Sequence, residues 1–366
     1  MRTGRPLNKT ALNSCHIDSG ARLVPFAGWE MPIQYSGIFD EVKAVRSSAG
    51  IFDVSHMGRL EISGPGSEST LNRVLSVNVS ALLSGRAKYN VVCNENGGII
   101  DDCIVYRRDE TSFLLIPNAS NCASVAAWLK ENSGQRTIDI IDTTEDTIMI
   151  ALQGPNSQTI LTDHTDIDLD SIRPFRAVTG VVFGAKAFIA RTGYTGEDGF
   201  EIILSAKEGP NAWRHLETSG AIPCGLGARD VLRLEAGLLL HGNDMDQTVN
   251  PYEAGLQTFV ESDREGYIAR DALISIEKGG PSRRLIGFVI EGKKIARGGC
   301  PIMDDGEEIG NVTSGVPSPT LGVNIGMGFV RSDRAEPGTF IDINIRGEEV
   351  AAKVTRLPFY RRNKKS

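Results

Sequence analysis

The chain has 366 residues, with 39 Lys+Arg against 46 Asp+Glu, a formal charge of −7. Its 40% hydrophobic and 23% charged residues exclude bulk disorder, and the length allows about two to three domains. The acidic balance argues against a general nucleic-acid binder.

The first stretch, MRTGRPLNKTALNSCHIDSG, has charge but no apolar run, so it does not read as a signal peptide. No later segment approaches the roughly 18 apolar residues of a membrane span. The expectation is a soluble chain in the cytoplasm of a bacterium, or in the mitochondrial matrix if the source is eukaryotic. Cys15, Cys93, Cys103, Cys122, Cys224 and Cys300 are scattered without a CxxC pair, which predicts free thiols in a reducing interior. The five histidines show neither HExxH nor HxH spacing, so no metal site is expected.

In chain order, hydrophobic periodicity predicts a helix over 39–48 and a strand over 58–62. Strands follow over 99–106 and 112–116, then a helix over 119–131. Strands over 147–152, 181–190 and 200–204 come next. Residues 227–240 make the clearest helix, with Ala228, Val231, Leu232, Leu234 and Leu238–Leu239 on one face. The irregular alternation, without a Gly-rich phosphate loop, predicts an α+β body. Residues 277–284 read as a linker: charged, then Gly/Pro-rich, then charged again. Beyond it, short strands over 285–290, 310–314, 326–330, 339–345 and 350–355 predict a small barrel or sandwich of about 80 residues. A basic tail, 360–365, ends the chain.

Four segments could carry chemistry. In NENGGIIDDCIVY a Gly-Gly turn feeds an apolar strand interrupted by Asp101 and Asp102. Adjacent strand residues face opposite ways, so one carboxylate can point inward. An inward carboxylate is costly unless paired or functional. The pleat does not say which of the two that is, and a turn-capping Asp is the plain alternative. In RTGYTGEDGFEII, Glu201 stands among apolar neighbours. A carboxylate there can accept two parallel N–H bonds, or lie on a half-exposed strand. In GLGARDVLRLEAG, Arg229 sits in the first helical turn, where a cation opposes the helix dipole; it points to a carboxylate partner, of the protein or of a ligand, with a solvated helix charge the plain alternative. Finally, FAGWEMPIQY and FDVSHMG hold aromatics, Met57 and His56, which are more often core than ligand contacts.

Taken together and in this order, these segments closely resemble the glycine cleavage T-protein family of folate-binding aminomethyltransferases. The resemblance runs through ALQGP, LGARDVLRLEAGLLLHGND, NPYEAGL and TSGVPSPTLGVNIGMG to LPFYRR, essentially the whole chain. It implies an α+β fold of two intertwined folate-binding subdomains plus a C-terminal β-barrel, in a ring around a central channel. The implied regions are 1–278, with inner boundaries near 50 and 142, and 283–362. The implied reaction moves the one-carbon unit of an aminomethyl group from the lipoyl arm of a partner H-protein to tetrahydrofolate. Its products are 5,10-methylenetetrahydrofolate, ammonia and dihydrolipoyl H-protein.

By the same resemblance, Asp102 is the catalytic carboxylate near folate N10, and Asp101 the solvent or turn-bonding member. Glu201 would grip the pterin edge, beside Asn118. Tyr89, Tyr194 and Met57 would line the pterin and benzoyl walls, and Arg229 would lie near the cofactor. Two positions depart from the family pattern. Thr258 stands where a Trp is usual, with Phe259 as its possible substitute, and Lys88 precedes Tyr89. A folate-dependent demethylase on the same scaffold is one alternative, although such proteins vary around the Asp pair and VSHMG. A non-enzymatic folate-binding assembly factor is another, but its K-G-C-Y-x-G-Q-E signature is missing here. An acidic lipoyl carrier would need a basic dock, for which Arg283, Arg284, Lys293, Lys294 and the tail 361–365 are candidates.

Overall fold

The alternating run that begins after the Gly97–Gly98 turn forms the strand Ile99–Arg107. It lies between Ala87–Cys93 and Ser112–Ile116, antiparallel to both. In the computed structural model, which describes residues 6–362, these belong to a five-stranded sheet completed by Leu60–Ser63 and Asp139–Asp142. A six-stranded sheet takes, in order, Ala177–Val182, Ala185–Ala190, Gly199–Ser205, Thr147–Gln153, Gly50–Asp53 and Ile222–Pro223. The chain leaves the larger sheet after Asp53 and returns at Thr147, so the two α/β units are interleaved.

The third unit is a closed antiparallel barrel ordered Arg283–Ile290, Val323–Arg331, Glu307–Ser318, Pro301–Asp304, Phe340–Ile345 and Glu348–Thr355. It follows the helix Arg270–Gly279 directly. The all-β pattern of the last part of the sequence therefore closes on itself, which removes its edges.

Two predicted elements end differently. The helix predicted to Leu240 runs Leu226–Glu235, because Gly237 takes φ 66° and its N–H closes the last turn on Leu234. The strand predicted over 181–190 is a hairpin, turning at Phe183 (φ 53°) and Gly184 (φ 77°) between Val182 and Ala185. Pattern reading passed over Gly50–Asp53, which is buried throughout and so does not alternate. It also passed over Ala87–Cys93, where Lys88 and Asn90 break the apolar run.

One apolar cluster joins all three units. It takes Phe52, Met149, Ala151 and Ala190 from the larger sheet, and Ala87, Tyr106, Leu114 and Ile116 from the smaller. The helix Leu226–Glu235 adds Ala228, Val231 and Leu232, and the barrel adds Val316, Ile325 and Met327. Met57, Ile104 and Phe188 pack against its margin.

Candidate active site

Strand geometry places Asp102, Ile104 and Tyr106 on the face toward this central cluster, and Asp101, Cys103 and Val105 on the other. Both faces are covered. Leu71 and Val74 of helix Ser67–Val74, with Val125 and Leu129 of helix Cys122–Ser133, close the Asp101 side. Of the two expectations for Asp101, solvent or a turn bond, the first is corrected: it is 0% exposed and accepts a backbone N–H from the loop at Asn118. Asp102 is half-buried.

One side chain serves both carboxylates. Asn118 Nδ2 donates to Asp101 Oδ1 at 2.8 Å and to Asp102 Oδ1 at 2.9 Å. The Asn118 backbone N–H donates to Asp101 Oδ2 at 2.9 Å, and Tyr89 Oη to Asp102 Oδ2 at 3.0 Å. Burial, and then the charge of Asp101, push the Asp102 carboxyl above the usual carboxylate range. Burial does the same to Asp101, against the bonds from Asn121 and Asn118. Two coupled carboxyls held this way form a proton reservoir that titrates as a pair. The edge of Phe259 meets the Tyr89 ring at 4.8 Å, so an aromatic wall survives beside Thr258.

Glu201 faces the cluster from the strand Gly199–Ser205. Its cross-strand neighbours are Ala151 and Ala190, whose short side chains leave room above it. Thr192 Oγ1 bonds Glu201 Oε2 at 2.5 Å and lies 2.9 Å from Tyr106 Oη, tying the two sheets together. Glu201 Oε1 has no hydrogen-bond partner among the described residues. Burial raises the Glu201 pKa, with Thr192 and Arg229 opposing.

The Arg229 guanidinium stands over the Tyr194 ring at 4.5 Å and makes no ion pair among the described residues. Its contact within the protein is thus an aromatic face, with Glu201 acting on Arg229 through charge and no carboxylate of the described residues paired to it. Tyr194 Oη donates to the Leu239 carbonyl. Burial raises the Tyr194 pKa, and Asp102 adds to the rise. His56, beside Met57, is 2% exposed, and its Nδ1 has no hydrogen-bond partner. Burial and the Arg229 charge hold its pKa down to about 3, so it is neutral at working pH.

The structure thus brings together Asp102, Tyr89 and Asn118 by direct hydrogen bonds, and Tyr194 and Arg229 by contact. Glu201 and Met57 adjoin the same cluster. Sequence reading missed Thr192, which bonds Glu201; Tyr106, which meets Thr192 from the smaller sheet; and Asn121, which bonds Asp101.

Around this cluster three polar groups lack hydrogen-bond and ion-pair partners among the described residues: Glu201 Oε1, the Arg229 guanidinium and His56 Nδ1. Their donors and acceptors match a flat heterocycle that carries adjacent N–H groups and a carbonyl.

Residues 12–264 match the family model described as the GCVT N-terminal domain, and 283–361 that of the glycine cleavage T-protein C-terminal barrel domain. The chain is similar to the aminomethyltransferase of Halothermothrix orenii, 44% identical over 357 residues, covering 96% of this chain and 100% of that one. It is also similar to that of Rubrobacter xylanophilus, 45% identical over 359 residues, with 98% and 95% covered. The crystal structure of glycine cleavage system aminomethyltransferase T from Bartonella henselae superposes with a TM-score of 0.92 at 33% identity, covering 97% of this chain and 98% of that one.

Proposed function

This chain belongs to the glycine cleavage T-protein family of aminomethyltransferases, and we propose that its central site holds tetrahydrofolate as the one-carbon acceptor. The aminomethyl group arrives on the lipoyl arm of an H-protein. The products are 5,10-methylenetetrahydrofolate, ammonia and dihydrolipoyl H-protein. The observation that carries this reading is that Glu201, one oxygen unengaged, and Asp102 face the same central cluster, with Asn118 joining Asp102 to the buried Asp101.

Glu201 Oε1 accepts N–H bonds from the pterin edge, while Arg229 and Tyr194 fix the ring plane. Tyr89, Met57 and Phe259 line the rest of the wall. Asp102, its pKa raised, is the group suited to take and return a proton while the folate nitrogens meet the incoming carbon. Tyr89 and Asn118 hold that carboxyl in one orientation. The apolar surround excludes bulk water. Residues 1–278 would supply the folate site, and the barrel, 283–362, closes over it.

Docking of the lipoyl carrier falls to basic residues without ion pairs. Arg283 is bound by Glu253 at 3.1 Å, Lys294 by Glu348, and Arg362 by Asp198 at 3.5 Å. Arg284, Lys293 and Arg361 are exposed and make no ion pair among the described residues, while 363–365 lie outside those residues. Reversing the charge of Arg284 and Lys293 together raises KM for the H-protein and leaves folate affinity alone.

Calorimetric titration with tetrahydrofolate tests the site. Wild type binds saturably. Glu201→Ala weakens binding by roughly 10- to 100-fold, the value of one charge-assisted contact. Asp102→Asn binds but does not turn over. Binding that ignores Glu201→Ala would remove the folate reading.

A further inference from the structure

Asn121 bonds Asp101 and His241 stands against Asn121, and the proposed chemistry uses neither. Asn121 is the N-cap of helix Cys122–Ser133, where its side chain would ordinarily bind an open N–H of the first turn. Here it makes no capping bond. Its Nδ2 donates instead to Asp101 Oδ1 at 2.6 Å and lies 3.0 Å from His241 Nδ1. Both amide hydrogens are thereby committed, one to a carboxylate and one to a ring nitrogen that must accept. His241 Nε2, 3.4 Å from the Ile99 carbonyl, then carries the ring hydrogen. Ser120 Oγ donates to Asn121 Oδ1 at 3.2 Å. A hydroxyl serves equally as donor or acceptor, so this contact tolerates either orientation of the amide.

Turning the amide over puts Oδ1 between Asp101 and His241. Both must then be donors: the carboxyl protonated, and the ring protonated at Nδ1 while Nε2 keeps its hydrogen on the Ile99 carbonyl, which makes it an imidazolium. With the Nε2 hydrogen held on the Ile99 carbonyl, protonating only one of them sets two donors or two acceptors face to face, whichever way the amide lies. Asp101 is sealed from solvent, whereas His241 is half-buried and can exchange protons with it.

We propose that the single amide of Asn121 ties protonation of His241 to that of the buried carboxyls, making His241 a positioning residue that sets their charge. The two protons enter from water together and leave together, and no bond other than O–H and N–H changes. The charged groups facing His241 are Asp101 and Asp102 from the strand Ile99–Arg107 and Asp246 from its own loop. Asp246 is exposed and is held ionised chiefly by its bond from Thr248. The coupling itself does not depend on the folate reading. Its use in turnover rests on that reading.

Nitrogen-15 NMR of the histidine rings in the free, full-length protein tests the coupling without any substrate. In wild type, His241 should titrate more steeply than a single-proton group, in step with the Asp101 carboxyl carbon. Asn121→Leu and Asp101→Asn, two independent ways of cutting the link, should each return His241 to a single-proton curve. A single-proton curve in wild type, unchanged in both variants, overturns the proposal. In kinetics, His241→Gln should shift the acid limb of kcat and leave the tetrahydrofolate Kd unchanged. An unmoved limb removes His241 from turnover. Coupled titration in a chain with no folate-dependent turnover would overturn the functional reading and leave the coupling standing.

Discussion

A carboxylate whose pKa is raised by the fold is held ionised against its preference, and that has a measurable cost. Asp102 in the unfolded chain ionises in the ordinary carboxylate range, and in the folded chain above it. The folded state is therefore penalised as pH rises through the unfolded value, and the penalty is complete once pH passes the folded value. Asp102→Asn keeps an oxygen for Asn118 and loses the charge. It should raise stability at pH 7 by about 1–3 kcal/mol while abolishing turnover. Urea denaturation at pH 7 and pH 4 checks the sign: the gain should shrink at pH 4, and an equal gain at both would show that the cost of ionising Asp102 is not its source. Asp102 and Glu201 were legible because a carboxylate in an apolar strand breaks a local rule. Thr192 and Asn121 were not, because each looks like an ordinary turn or cap residue. Their partners lie on other strands, Glu201 and Asp101, and only the folded sheet sets the distance. Asp102 does face the central cluster, but the burial of Asp101 was illegible for a related reason. The pleat gives opposite faces, but only the tertiary packing shows that both are covered.

At the scale of elements, periodicity located the helix Leu226–Glu235 and most long strands, because one face of each is apolar. It misjudged ends, which backbone conformation decides. Gly237 at φ 66° stops the helix, and a Cβ there would meet Pro358 Cα at 3.0 Å and Leu357 Cβ at 3.2 Å. Gly237→Ala should cost about 1–2 kcal/mol, read as a lower Tm, and loosen the C-terminal segment packed on that turn. That segment has a second anchor. The Tyr360 ring lies 3.9 Å from the Arg46 guanidinium, which bonds Glu235 at 2.7 Å and Glu197 at 3.0 Å. Glu235 also accepts from Ser318 and Thr320 of the barrel. Arg46→Met leaves two buried carboxylates without their cation. It should destabilise by roughly 3–5 kcal/mol, more than any exposed ion pair is worth. A loss under 1 kcal/mol in chemical denaturation would mean that the barrel hydroxyls alone satisfy Glu235.

Over the whole molecule, the site exists only because three units meet, and one buried ion pair holds the meeting place. Arg233 bonds Asp244 at 2.5 Å, Ser314 of the barrel at 2.8 Å and Asp230 of its own helix at 2.9 Å. Asp244 in turn accepts from Ser314 at 2.7 Å and from Thr313, both in the barrel, and from the Leu240 N–H at 2.9 Å. The preceding carbonyl, Leu239, is the acceptor for Tyr194 Oη. Asp244 thus reaches the proposed folate wall through one backbone step while touching no ligand itself. Removing it leaves Arg233 buried and unpaired, at a cost of about 3–5 kcal/mol. Calorimetry of wild type should show one cooperative transition, since a single apolar cluster spans both sheets and the barrel. Asp244→Ala should separate an earlier barrel transition from that of the body. It should also raise the tetrahydrofolate Kd, because the Tyr194 ring, and with it Arg229, loses its fixed height. Asp244→Asn keeps the Leu240 contact but not the charge, so it should lower stability while largely sparing affinity. If the two variants weaken folate binding equally, Asp244 acts through the charge on Arg233 and not through the loop that carries Leu239.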